Sequence, residues 1–540
     1  MAKVVDLTSK NRHPMTLRSA SSREDSKEVP VDLNTAMSKA LQNPLVLDLI
    51  FSNLGLPDLK TSRLVCPEWA DVGTTFLGRR ALLHLNKLFS YEGSEPAKMT
   101  PVNDKLMRRL LISDKFDSSI PTNKKADVIT RALAQVDGVS ELTREITFLV
   151  GQKELVLAFL KGIRMLGSTN IQHVAIIRAW KADSVDSIPP QAIQLLPPQP
   201  NLTSLKFQIH SDFQYDRTTG CKEFQPLLQI WLNSAPNLTS LDVATSFYPN
   251  LEACTSLIVL KFKFLKCCDE HYRHLNVTKM LTQVKDSLIE LELCHYVTDY
   301  VSLQQIQPAE EVPVMSRLTS LTIHAEKVYE IHDFYNEKRF PKLRSISLRT
   351  GFQPSSLLKH LNLWIPHRGV KSVTLILDYY SWEVQEFGGK MINLFPSVKE
   401  FDLRMGLTCF AFPLHLPEMF LEGEPVWRST AIQRFMEPFQ MWDLKRVNVS
   451  LRLPESALLI NALQAISVLK GVKRVQFFFR CIYNTRVNFS ASLVQDVILH
   501  SGAFKSVEIT IHEMAPEIVE QLQLIVEASG APIRFIGRSE

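Results

Sequence analysis

The sequence predicts an α/β chain in which a small helical module precedes a long array of alternating strands and helices. Three observations carry that prediction. A short apolar pattern, with residues at i, i+3 and i+5, returns twelve times between residues 171 and 509. Segments with apolar residues at helical spacing lie between the copies. Residues 43–69 hold three short apolar segments, each headed by a proline.

Composition agrees with a folded chain of this size. The 540 residues are 45% hydrophobic and 22% charged, the balance of a globular protein. The net charge of +5 is the small difference between 61 basic and 56 acidic residues. Nucleic-acid binding calls for a clustered basic footprint instead, so no nucleic-acid partner is expected. The start of the chain, MAKVVDLTSKNRHPMTLRSASS, lacks the apolar run of a signal peptide. No stretch reaches the roughly 18 apolar residues of a membrane span. The 8 cysteines are scattered without CxxC spacing and read as reduced thiols. Together these place the protein in the cytoplasm or nucleus, with no membrane partner.

Taken in order, residues 1–40 are rich in Ser, Lys and Arg and poor in aromatics, the composition of a disordered tail. Residues 41–88 form the helical module. Its prolines, Pro44, Pro57 and Pro67, suit first helical positions, where a fixed φ is already helical and no N–H is needed. Asn43 is placed to cap the first of these helices. Residues 70–88 continue as helix or loop, and residues 89–103 read as a connection.

The module carries an ordered series: Pro44, Leu47, Ile50-Phe51, Leu54, Asp58-Leu59, Arg63-Leu64-Val65-Cys66 and Trp69. This series resembles an F-box. Two positions depart from that pattern: Leu45-Val46 stand where an acidic residue often follows the proline, and Pro67 replaces a basic residue. The resemblance implies docking on a Skp-type adaptor and, through it, on a cullin. It places Pro44, Leu45, Leu47, Ile50, Phe51, Leu54, Leu59, Val65, Cys66 and Trp69 at that contact.

Residues 104–540 hold the array. The clear copies begin at Ile171, Leu202, Leu238, Leu257, Leu288, Leu318, Leu343, Val370, Val398, Leu444, Val472 and Phe504. Weaker ones sit at Met107-Leu110-Ile112, Ile146-Phe148 and Ile533-Phe535. Helical stretches at 153–166, 223–233, 455–469 and 490–502 alternate with them. Each unit has an apolar strand face and an apolar helix stripe that it cannot bury alone, so neighbours must stack. The array resembles leucine-rich repeats, although the Asn or Cys usual after the last strand Leu is mostly absent. That resemblance implies a horseshoe with a parallel sheet on its concave face and helices outside. F-box and repeats together identify the chain as similar to F-box/leucine-rich-repeat proteins, which are substrate receptors of cullin ubiquitin ligases. A repeat scaffold acting outside a ligase is the alternative.

No catalytic signature accompanies this. There is no GxSxG or HExxH, and Gly388-Gly389-Lys390 runs into Met391 without the upstream glycine of a phosphate loop. No enzyme activity and no cofactor are therefore expected. Cys267, His271 and His274 would share one helical face, but adjacent cysteines such as Cys267-Cys268 rarely reach one ion, and no metal site is expected. Strand residues flanking the apolar positions point away from the core. They make a surface with Lys261 and Lys263 set beside Glu290 and Glu292, then hydroxyls, then Glu400 and Asp402 set beside Arg446, and a basic end. Either these charges neutralise one another or the face binds a protein substrate through Arg404, Arg446, Arg474 and Phe478. The long interval from Val398 to Leu444, with Trp427 among its aromatics, is a second candidate for substrate contact or for packing behind the sheet.

Overall fold

The computed structural model describes residues 41, 43–90, 98–113, 120–135, 139–150, 152–178, 195–209, 224–265, 274–296, 313–324, 335–350, 361–362, 364–377, 387–406, 432–453, 456, 458–479, 489–512 and 514–538. The chain forms two compact units, one ending at Leu77 and one running from Gly78.

The first unit is helical: α1 (Pro44–Asn53), α2 (Leu56–Ser62) and the start of α3 (Pro67–Arg80). The proline-headed segments thus become helices. Asn43 caps α1 as its position predicts, its side chain accepting from the Leu45 N–H at 3.0 Å. Gly55 precedes α2 without a side-chain cap.

The second unit is built on a 16-stranded parallel sheet. Its strands are β1 (Leu83–His84), β4 (Arg109–Ser113), β5 (Glu145–Val150), β6 (His173–Arg178), β7 (Ser204–Gln208), β8 (Ser240–Thr245), β9 (Val259–Leu265) and β10 (Glu290–Tyr296). They continue as β11 (Ser320–His324), β12 (Ser345–Thr350), β13 (Ser372–Leu377), β14 (Glu400–Gly406), β15 (Arg446–Leu453), β16 (Val472–Phe479), β17 (Ser506–His512) and β18 (Ile533–Arg538). Each pairs with its neighbour in sequence order, save that β2 (Phe89–Ser90) and β3 (Lys98–Met99) form a separate antiparallel pair. All fifteen copies of the apolar pattern, clear and weak, run into strands of this sheet, the first apolar residue of most clear copies standing just before its strand. β1 is the strand the pattern misses, being two residues long inside a stretch that reads as helix or loop.

Strand burial alternates residue by residue, as in β5 and β13. Parallel sheets covered on both faces read as continuous apolar runs, so alternation means that one face is left to solvent. The buried face joins the helices in one core: Phe148, Phe207, Phe401 and Phe477 of the strands with Phe159, Trp231 and Leu463 of the helices. Four of these helices are α4 (Thr122–Gln135), α5 (Lys153–Leu166), α6 (Gln225–Ser234) and α7 (Leu458–Ser467). Each such side chain moved from water contributes about 1.5–3 kcal/mol. Gly162 lets α5 approach α4, since a Cβ there would stand 2.7 Å from Leu133.

A backbone device repeats with the strands. One carbonyl accepts from two consecutive N–H groups at the start of the next strand: Gln172 from Thr203 and Ser204, Thr203 from Thr239 and Ser240, and so on to Lys399 from Lys445 and Arg446. The device holds the register of successive units. It breaks after β15, where the β15–β16 register shifts between Val447 and Asn448. There Gly471, at φ 80°, turns the chain so that its carbonyl accepts from Val447 at 3.2 Å. A side chain at that φ is strained, and a Cβ would meet the Leu444 carbonyl at 2.5 Å.

Candidate functional site

The helical unit closes a small core of its own. Leu47, Phe51, Leu59 and Phe76 are buried, and Ile50, Leu54, Trp69 and Val72 pack around them. Trp69 meets Phe51 edge-on at 5.4 Å, and its indole N–H donates to the Leu41 carbonyl at 3.0 Å. Leu47, Phe51 and Leu59, expected at a contact, are therefore occupied inside the unit. Spacing explains the division: Leu47 and Phe51 lie one turn apart and share the inner face of α1. Leu45 and Leu49 share another face of the helix, and both are exposed.

The exposed set is apolar. Leu45 is 81% exposed, Leu64 85% and Val65 64%, with Leu49 and Leu56 also open to solvent. Pro44 is exposed at the start of α1, and Cys66 is half-buried before α3. Hydrogen bonds from the backbone and from Cys66 hold the Glu68 carboxyl below its ordinary value. Leu49, Leu56 and Leu64 lie outside the contact set the sequence gives, although the i, i+4 spacing of Leu45 and Leu49 is visible there. Such a surface can bind an apolar partner.

The second candidate is the solvent face of the sheet. Most of its charges meet a counter-charge. Arg109 makes a two-pronged contact with Glu145 at 2.7 and 2.9 Å. Lys206 lies 3.9 Å from Asp242. Lys261 and His324 flank Glu292 at 3.7 and 3.1 Å. The His324 hydrogen bond holds the Glu292 carboxyl below its ordinary value, with partial burial opposing and Lys261 assisting. β11, β12 and β13 then align Thr322, Ser347 and Thr374 in one uncharged row.

Beyond it, Arg404 pairs with Asp402 at 3.2 Å and Arg446 with Glu400. These two arginines, read from sequence as substrate contacts, are thus engaged with the sheet's own carboxylates. Arg474 and Phe478 keep the expected place: Arg474 is exposed and Phe478 is half-buried on the same face. Arg452 stands beside Phe478 in register, and Arg534 beside Glu508. Among the described residues, Arg452, Arg474 and Arg534 have no ion-pair partner. Glu508 accepts from Gln476 at 3.4 Å.

The aromatics before Leu444 divide. Phe435, Phe439 and Trp442 are buried, Phe401 lying tilted against Phe439 at 4.7 Å and the Trp442 indole donating to the Phe395 carbonyl at 2.9 Å. They pack behind the sheet. Trp427 lies outside the described residues, as do the tail before residue 41 and Cys267, Cys268 and His271. Among the described residues no cluster of His, Cys, Asp and Glu is arranged for a metal, and no helix is long and apolar enough to cross a membrane. Cys66 and Cys254 form no disulfide, and burial pushes the Cys254 thiol up to about 12.

No protein-family model matches the chain, and no curated protein does. Among solved structures, a crystal structure of a Bacteroides fragilis protein aligns over 68% of this chain and 67% of its own at 9% identity, with a TM-score of 0.22. A superposition that poor informs neither fold nor function.

Proposed function

We propose that this chain is the substrate-binding subunit of a cullin-type ubiquitin ligase, in which an F-box docks on a Skp-type adaptor and leucine-rich repeats hold a protein substrate. One observation carries the reading: the helical unit exposes Leu45, Leu49, Leu64 and Val65 although its own core is already closed. Apolar residues that are not needed inside a small module are the expected currency of a docking surface. The ordered series around Pro44 and Trp69 says which partner suits it.

The chain itself breaks no bond in this reading. It raises the local concentration of substrate lysines near a conjugating enzyme held by the same assembly. Substrate contact falls to the end of the sheet that carries Phe478 with Arg452 beside it, together with Arg474 and Arg534, all three arginines without carboxylate partners among the described residues. Arginine and aromatic residues dominate binding energy at interfaces. The paired arginines, Arg404 and Arg446, take a smaller share.

Affinity purification from cells tests the proposal. The intact chain brings down a Skp-type adaptor and a cullin, and deletion of residues 43–69 abolishes both. If the intact chain brings down neither, the protein is a repeat scaffold that works outside a ligase.

A further inference from the structure

The last helices of the array carry a surface that the adaptor and substrate readings leave unused. They are α8 (Ala491–Ser501) and α9 (Pro516–Ser529), which precede β17 and β18. α8 buries Val494, Val497 and Ser501 against the sheet, and α9 buries Leu522 and Val526. On the opposite side Leu499 is 77% exposed and Leu524 61%, with Ile518 and Ile525 also open.

Helical geometry puts these residues on one strip. Ile518 and Ile525 lie seven residues apart and so share a flank of α9. Gln523 occupies the other flank and accepts there from the Phe535 N–H at 2.9 Å. Phe535 belongs to β18, the outermost strand. The Gln523 flank therefore faces the open end of the sheet, and the Ile518–Ile525 flank faces back toward α8. Leu499 and Leu524 project outward from the two helices on either side of that seam.

Charge decides what fits. The two helices contain Asp496, Glu517, Glu520 and Glu527 and no Lys or Arg, in a chain whose net charge is +5. All four carboxylates are exposed. An apolar seam with an acidic border and no cation of its own repels a second copy of itself. It complements a helix with apolar residues at i, i+3, i+4 and i+7 and Lys or Arg beside them.

We propose that the outer face of α8 and α9 docks a basic amphipathic helix of a partner protein. The site shares no residue with the helical unit or with the solvent face of the sheet. It stands whether or not the chain works in a ligase.

The test is fluorescence anisotropy of the full chain with a labelled 18-residue helical peptide made of leucine and lysine, and with its leucine–glutamate counterpart. The lysine peptide binds and the glutamate peptide does not. Leu499→Asp weakens binding at least tenfold. The double reversal E517K/E520K does the same, and it alters only exposed side chains, so folding is not at issue; circular dichroism checks both variants. Binding of the lysine peptide that survives both changes, equal binding of the two peptides, or no binding at all overturns the proposal.

Discussion

The helical unit and the sheet unit treat their apolar residues in opposite ways. In the sheet unit a continuous core takes up nearly every leucine, phenylalanine and valine of the repeat pattern. In the helical unit four buried side chains suffice, and Leu45, Leu64 and Val65 remain outside. Size is the reason: a stack of repeats buries each unit's faces against the next, whereas a few short helices have too little interior to enclose all they carry. The same leucine therefore means different things in the two places. In the array it records how a unit is closed, and in the module it stays open to solvent, where the proposed adaptor contact would fall.

The comparison breaks first at the buried phenylalanines. Phe51→Ala in the helical unit and Phe401→Ala in the array each cost about 3–5 kcal/mol, because both rings are enclosed on all sides. Urea unfolding with fluorescence and circular dichroism reads both. A cost near zero at Phe51 means that the module has no core of its own. A smaller effect sharpens the contrast: Leu45→Ala and Val65→Ala leave stability within about 0.5 kcal/mol, yet together weaken adaptor binding by about 2 kcal/mol, some thirtyfold. Surface plasmon resonance on immobilised adaptor measures this, and a loss of stability equal to the loss of binding removes the distinction.

Within the sheet, arginines that lack a carboxylate contrast with those that have one. Arg474→Glu weakens substrate capture about tenfold, roughly 1.4 kcal/mol, whereas Arg404→Glu, whose guanidinium is held by Asp402, changes capture less. Equal losses at the two positions end the case for a privileged end of the sheet. The smallest effect is at Glu292. A carboxyl held below its ordinary value in the fold adds stability above its unfolded pKa and loses it as pH falls through the folded one. Glu292→Gln therefore costs under about 1 kcal/mol near neutrality, and the difference from the parent fades in acid. Paired urea titrations at pH 7 and about pH 3 show it; a difference that grows in acid reverses the sign of the argument.

Much of the fold was legible in residue spacing. Leu202, Leu205 and Phe207 are buried as their pattern requires, and the same offsets locate β4 and β18 from weak copies. β1 escaped because two residues cannot display a period. The site was less legible. Leu47 and Leu45 are the same residue type two positions apart, and only the packing of α1 decides which faces inward. The pairing of Arg446 with Glu400 was legible, because the repeat spacing sets those strands side by side; the repeat spacing offers Arg474 no such carboxylate.

The most direct test of the central claim is calorimetric titration of a purified Skp-type adaptor into the full chain and into its Leu64→Asp variant. Leu64 is exposed and clear of the buried core, so the variant folds as the parent does by circular dichroism. The account predicts a one-to-one complex with the parent and loss of heat with the variant. No complex with the parent, or a complex that Leu64→Asp leaves unchanged, contradicts it.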